Sequence, residues 1–170
     1  LRYEPETGKL FWLPRGVEWF PEGERRNNAC AIWNSRFAGK EALAALSNGY
    51  KHGAILGQNY PAHRVCWSIF YGEHPSLLID HINGDKVDNR IINLREVTNS
   101  ENAKNSKMHV GNKSGRTGVF RDEARNIWIA YIMSEGVRRH LGNFTEFSRA
   151  VEARSAAEIA LGFHPNHGRR

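Results

Sequence analysis

The sequence predicts an α+β protein in two modules, and three patterns carry that expectation. Two short apolar runs, 77–82 and 94–97, flank an Asn83-Gly84 turn and lead into a helix start at Thr98. Three strand-like runs, 117–121, 126–133 and 137–143, precede one alanine-rich helix over 146–161. Between the two patterns, residues 104–116 are basic, polar and Gly/Ser-bearing, the composition of a connecting segment. The domains expected are 1–108, a basic linker at 109–115, and 116–170 with its tail.

Each element has a local reason. Glu6-Thr7-Gly8-Lys9 lies between Tyr3 and Leu10-Phe11-Trp12, a short hairpin. Pro14 to Asn28 is polar and reads as loop; Ala38 to Leu46 reads as a short helix or insertion. Residues 49–60 hold four large apolar side chains among three glycines, which suits strands with tight turns. Pro61 opens a helix whose apolar stripe is Ala62, Val65, Cys66, Ile69 and Phe70; Gly72 ends it and Pro75 prevents its resumption. Thr98 and Glu101 form a capping-box pattern, and the helix should fade near Lys107. In the last helix Phe147, Ala150, Val151, Ala153, Ala157 and Leu161 make the apolar stripe.

The chain has 170 residues, a net charge of +6 and two cysteines. No apolar run approaches the roughly 20 residues of a membrane span, so no membrane partner is expected. No segment resembles a signal peptide, and Cys30 and Cys66 lack CxxC spacing. These features point to an intracellular compartment. Residues 1–102 carry 12 Lys+Arg and 12 Asp+Glu, whereas 103–170 carry 12 and 6. The whole surplus therefore sits in the C-terminal two-fifths, a distribution that suits nucleic-acid binding.

The stretch from Asp80 to Asn102 gathers groups for metal-assisted hydrolysis. Asp80 is a hard oxygen ligand and Asn102 offers an amide oxygen, an incomplete set that suits Mg²⁺. His81 is a base candidate, because an imidazole titrates near neutral pH. Asn93 is placed to fix its tautomer. Asp80 and His81 are adjacent, so they can share a site only at a strand end or bulge.

This segment resembles the HNH nuclease motif of phage and intron-associated homing endonucleases. The matching pieces are Asp80-His81, Gly84-Asp85, Asn93-Leu94-Arg95 and Glu101-Asn102. His63-Arg64-x-x-Trp67 resembles the family's lead-in helix. The resemblance implies a ββα-metal (HNH) nuclease domain at 1–108. Asp80 and Asn102 would bind one Mg²⁺ or Mn²⁺, with His81 as general base and Asn93 orienting it. It further implies hydrolysis of double-stranded DNA to 5′-phosphate and 3′-hydroxyl ends, by a phage- or mobile-element-encoded protein in the bacterial cytoplasm. Two cysteines cannot build the four-cysteine zinc site of some relatives, so no structural zinc is expected. A monomer is expected rather than a dimer.

Residues 114–161 resemble the Apetala/ethylene-response-factor DNA-binding domain, a small three-stranded antiparallel sheet packed on one helix. Thr117-Gly118-Val119, Trp128, Arg138-Arg139-His140-Leu141-Gly142 and the alanine-rich helix carry that likeness. Alternation puts Trp128, Ala130 and Ile132 on the helix side. The opposite face would meet DNA through Arg121, Tyr131, Arg138 and His140, and Lys104, Lys107, Lys113 and Arg116 would follow the backbone. The segment His164-Pro165-Asn166-His167 reads as a terminal tail. A chain cut near Val110 would then keep its chemistry and lose its affinity. Two other functions fit the sequence: a DNA-binding regulator with a vestigial centre, and a non-specific nuclease.

Overall fold

The computed structural model describes residues 1–169, and its internal contacts divide the chain into Leu1–Glu96 and Val97–Arg170. In the first unit, β1 (Arg2–Glu4) and β2 (Lys9–Phe11) form the expected hairpin. A helix, α1 (Arg26–Phe37), begins inside the 14–28 stretch that the sequence predicts as loop and continues through 29–37, for which the sequence carries no expectation. Its sequence is polar and buries only Cys30, so no apolar stripe announces it. Tertiary contacts hold it instead. The Asn34 side chain accepts from Arg15 N–H at 2.8 Å and donates to Arg15 C=O at 2.9 Å. The Arg15 guanidinium lies over the Trp33 ring at 4.0 Å.

Of the two readings of 38–46, a short helix or an insertion, the helix is absent. Gly39 adopts φ +78°, a helix-ending conformation, and the chain continues as β3 (Glu41–Ala42) and β4 (Ala45–Ser47). β5 (Tyr50–Ile55) and β6 (Gln58–Pro61) complete a three-stranded sheet in the order β4-β5-β6. α2 (Ala62–Tyr71) then starts after Pro61 and ends at Gly72, as the sequence predicts. Its buried face differs from the expected stripe. Ala62 and Cys66 are buried, whereas Ile69 and Phe70 are 42% and 47% exposed. Burial pushes the Cys66 thiol up to about 12, so it behaves as a core residue. β7 (Leu78–His81) pairs with β8 (Leu94–Val97).

The N-terminal hairpin buttresses the loop between β7 and β8. Tyr3 Oη donates to Asn89 C=O at 2.7 Å in a buried bond, and Ile91 N–H donates to Pro5 C=O. Gly8 has φ +71°, and a Cβ there would meet Arg90 N at 2.5 Å and the Asn89 carbonyl carbon at 2.6 Å. Gly8→Ala is therefore expected to cost about 2–3 kcal/mol, from left-handed strain plus a backbone clash. The denaturant midpoint reads it, and an unchanged midpoint would mean the hairpin does not press on this loop.

The second unit begins with α3 (Asn99–Ala103), which stops short of Lys107. Thr98 and Glu101 form the full capping box. β9 (Val119–Asp122), β10 (Ile127–Ser134) and β11 (Val137–Phe144) make an antiparallel sheet ordered β11-β10-β9. α4 (Phe147–Ala160) covers one face, with Val119, Ala130 and Ala150 at the core and Phe147 against Trp128. Arg154 is buried in this helix. It donates to Tyr131 C=O at 2.6 Å and to Glu158 at 2.8 Å. The linker and the tail are hydrogen-bonded to each other. His164 N–H donates to Lys104 C=O, Gly168 N–H to Ser106 C=O, and Met108 N–H to Arg169 C=O. His167 is buried beside Phe163. Among the described residues, no helix is long and apolar enough to cross a membrane.

Candidate active site

The β7–β8 hairpin positions the predicted centre. Ile82 N–H donates to Asn93 C=O at 2.9 Å, and the same register set back two residues faces Asp80 with Arg95. Arg95 donates to Asp80 Oδ2 through Nε at 3.1 Å and Nη2 at 2.8 Å. His81 is the last residue of β7, the strand-end position that two adjacent site residues require. Its Nε2 lies 3.0 Å from Asn89 Oδ1. An amide oxygen only accepts, so Nε2 is the donor of this pair.

The Asn93 side chain, expected on that ring, bonds elsewhere. Its Oδ1 accepts from Asn83 N–H at 2.9 Å, and its Nδ2 donates to Asp88 C=O at 2.8 Å. Both ends of the amide are spent on pinning the loop, and the amide that meets the His81 ring is that of Asn89. Asn89 resembles an ordinary turn residue in the sequence; only its burial and its contact with His81 distinguish it. The loop is closed further by the Arg90–Asp88 pair. The Arg90 guanidinium first, then its N–H and Asn83, hold the Asp88 carboxyl down to about 2.

Two rings flank His81. His63 from α2 meets His81 edge-on at 5.3 Å, and Tyr50 from β5 lies 5.3 Å from His63 and 5.9 Å from His81. Burial first, and then the Asp80 charge, raise the Tyr50 hydroxyl above its ordinary range, so Tyr50 senses both predicted residues. Neither Tyr50 nor His63 is signalled as a site residue by composition or spacing, although His63 lies in the lead-in motif.

Burial, the neighbouring His81 and Arg64 lower His63 from 6.5 to about 4. Between those values the unfolded chain takes up a proton that folded His63 refuses. Stability should therefore be unaffected above pH 6.5 and fall as pH drops toward 4, by up to about 3 kcal/mol. His63→Phe should flatten that window, read as denaturant midpoint against pH. Parallel wild-type and variant curves would remove His63 as the cause.

The remaining candidates lie in the second unit. Asn102 is exposed on α3. Among the described residues, no group of three or more His, Cys, Asp or Glu side chains converges as a metal site. Lys104 and Arg116, expected on DNA, are engaged internally. Lys104 Nζ donates to Leu161 C=O at 2.8 Å, and Arg116 pairs with Glu158 and Ser155. Lys107 and Lys113 are exposed. Arg121 is directly across from Trp128 and its guanidinium stacks on that ring at 5.1 Å. It therefore shares the helix-side face rather than the opposite one, since cross-strand partners project together. Tyr131, opposite His140, and Met133, opposite Arg138, do occupy the other face. There Arg138 lies 3.9 Å over the Tyr131 ring and His140 bonds Asn143.

One comparison decides how the hairpin centre is viewed. Residues 60–104 match the HNH endonuclease family. The HNH-matching segment runs from the end of β6 through α2, β7 and β8 to the end of α3, so it includes His63, Asp80, His81, Asn89, Asn93, Arg95 and Asn102. The chain is also 37% identical over 71 residues to the "SPbeta prophage-derived putative HNH homing endonuclease YosQ" of Bacillus subtilis (strain 168). That match spans 41% of this chain and 40% of the relative. No solved structure matches.

Proposed function

We propose that this protein is a metal-dependent, site-preferring DNA endonuclease of the homing type. The observation that carries the reading is His81 itself, buried at the end of β7 and hydrogen-bonded to Asn89 inside an HNH-matching segment. His81 takes the proton of the attacking water, and Asn89 and the Asn93-braced loop hold the imidazole in one orientation. Products are a 5′-phosphate and a 3′-hydroxyl.

Asp80 and Asn102 are the proposed ligands of one divalent ion, in a ββα-metal arrangement. Their donors are hard oxygens, and Asp80 already sits against a cation, Arg95, so the set fits Mg²⁺ or Mn²⁺. When bound, the ion supplies charge stabilisation for the phosphate and the departing oxygen.

The second unit, read as an Apetala/ethylene-response-factor-type domain, would anchor the protein on double-stranded DNA. Tyr131, Arg138 and His140 would face the groove, and Lys107 and Lys113 the backbone. A monomer acting in the bacterial cytoplasm, encoded by a phage or mobile element, is consistent with this reading.

Supercoiled plasmid and host or phage DNA, incubated with the protein in Mg²⁺ or in EDTA, test the proposal. Metal-dependent nicks or cuts with the stated ends are expected. Tight DNA binding without cleavage under either condition would favour a regulator.

A further inference from the structure

We propose that Arg95 is a phosphate-binding residue of the centre, held on Asp80 until metal and DNA arrive; this rests on the nuclease reading. The argument begins with a contrast between two ion pairs of the same hairpin. Arg90 grips Asp88 as a closed fork, Nε on Oδ1 at 2.8 Å and Nη2 on Oδ2 at 2.7 Å. That is the bidentate geometry in which both partners are satisfied. Arg95 instead brings Nε and Nη2 onto the single oxygen Oδ2 of Asp80.

The third guanidinium nitrogen of Arg95, Nη1, has no partner among the described residues. Its side chain is 35% exposed, while that of Asp80 is 10% exposed. The pair is thus buried at the carboxylate and open at the guanidinium. Arg64, a third arginine beside the hairpin, is spent on the carbonyls of Leu77 and Pro75. Of these three arginines, Arg95 keeps a donor to offer.

Charge makes the exchange reasonable. Without a divalent ion, the Asp80 carboxylate is balanced by Arg95. A divalent ion on that carboxylate repels the guanidinium from the oxygen it holds. A phosphate beside the centre brings negative charge that the planar, always-charged fork matches well. Arg95 would then hold a non-bridging phosphate oxygen and stabilise the charge that grows there as water attacks.

Two measurements on the full chain test the proposal. The first is calorimetric titration of Mn²⁺ alone. Arg95→Met removes a competing cation and should bind Mn²⁺ about two- to five-fold tighter. An arginine that serves only to order Asp80 predicts weaker binding instead, and that result would overturn the proposal.

The second is DNA affinity with Mn²⁺ against salt, in a His81→Ala background that silences cleavage, on a duplex that the wild type cuts. Arg95→Met should lower the slope of log K against log salt by about one, the loss of one phosphate contact. An unchanged slope would also overturn it.

Arg95→Lys covers the case in which the Met variant does not fold. It keeps the charge and the slope but loses the fork, so single-turnover cleavage should fall at least tenfold. Wild-type cleavage by a folded Lys variant would count against a phosphate role. Failure of the nuclease reading is seen separately, as a wild-type protein that cuts nothing.

Discussion

His81→Ala should bind DNA nearly as well as wild type and cleave it more slowly by on the order of 10²–10⁴. The imidazole is 3% exposed and enclosed by His63 and Tyr50, with Asn89 on Nε2. No neighbour can replace it. His63 is the nearest imidazole, and its pKa of about 4 makes it a weak base near neutral pH. Asn89→Ala should cost less, because it frees the tautomer without removing the base. Added to His81→Ala it should cost almost nothing, since the two act as one unit. His81→Gln, which keeps a side-chain donor toward Asn89, separates lost chemistry from lost packing. Single-turnover rates of folded variants decide the matter; cleavage by His81→Ala within tenfold of wild type would remove His81 from the role.

A chain that stops at Val110 should lose cleavage as well as affinity, by on the order of 10² or more even at saturating DNA. Charge alone suggests a milder outcome, since residues 1–102 are neutral and contain every catalytic candidate. The structure changes the expectation through α3. A five-residue helix cannot hold itself in water, where isolated helices shorter than about 12 residues are marginal. The segment after α3 is fastened from the far end of the chain. Lys104 bonds Leu161 and His164, Ser106 bonds Gly168, and Met108 bonds Arg169. Truncation removes all of these partners, and Asn102 is then carried on an unsupported turn. The comparison is of single-turnover rates at saturating DNA, with circular dichroism of the fragment. A fragment that cuts within tenfold of the full chain would show that α3 stands without the second unit.

Local chemistry makes much of the fold legible. Pro61 and Gly72 bound α2, Thr98 and Glu101 cap α3, and the three strands before α4 lie where alternation puts them. Each rests on neighbours a few residues apart, and so can be read in one dimension. α1 is not legible, because its polar surface carries no periodicity and its support comes from Arg15, Trp12 and Trp33. Arg121 is expected on the wrong face because a strand's own alternation does not reveal its register against a neighbour. Trp128 opposite Arg121 is a pairing fact.

The candidate site divides the same way. The sequence by itself determined which residue types cluster between Asp80 and Asn102, and the likeness of that cluster to the HNH motif pointed to a nuclease centre. Only the tertiary structure decided which groups meet. It put Asn89 rather than Asn93 within hydrogen-bond reach of the His81 ring, and brought His63 and Tyr50 to that ring from α2 and β5. It also turned Lys104 and Arg116 from expected DNA contacts into internal braces. The reason is directional: a side chain's type states what it can bond, but hydrogen bonds and ion pairs form only where the folded backbone brings a partner within about 3 Å.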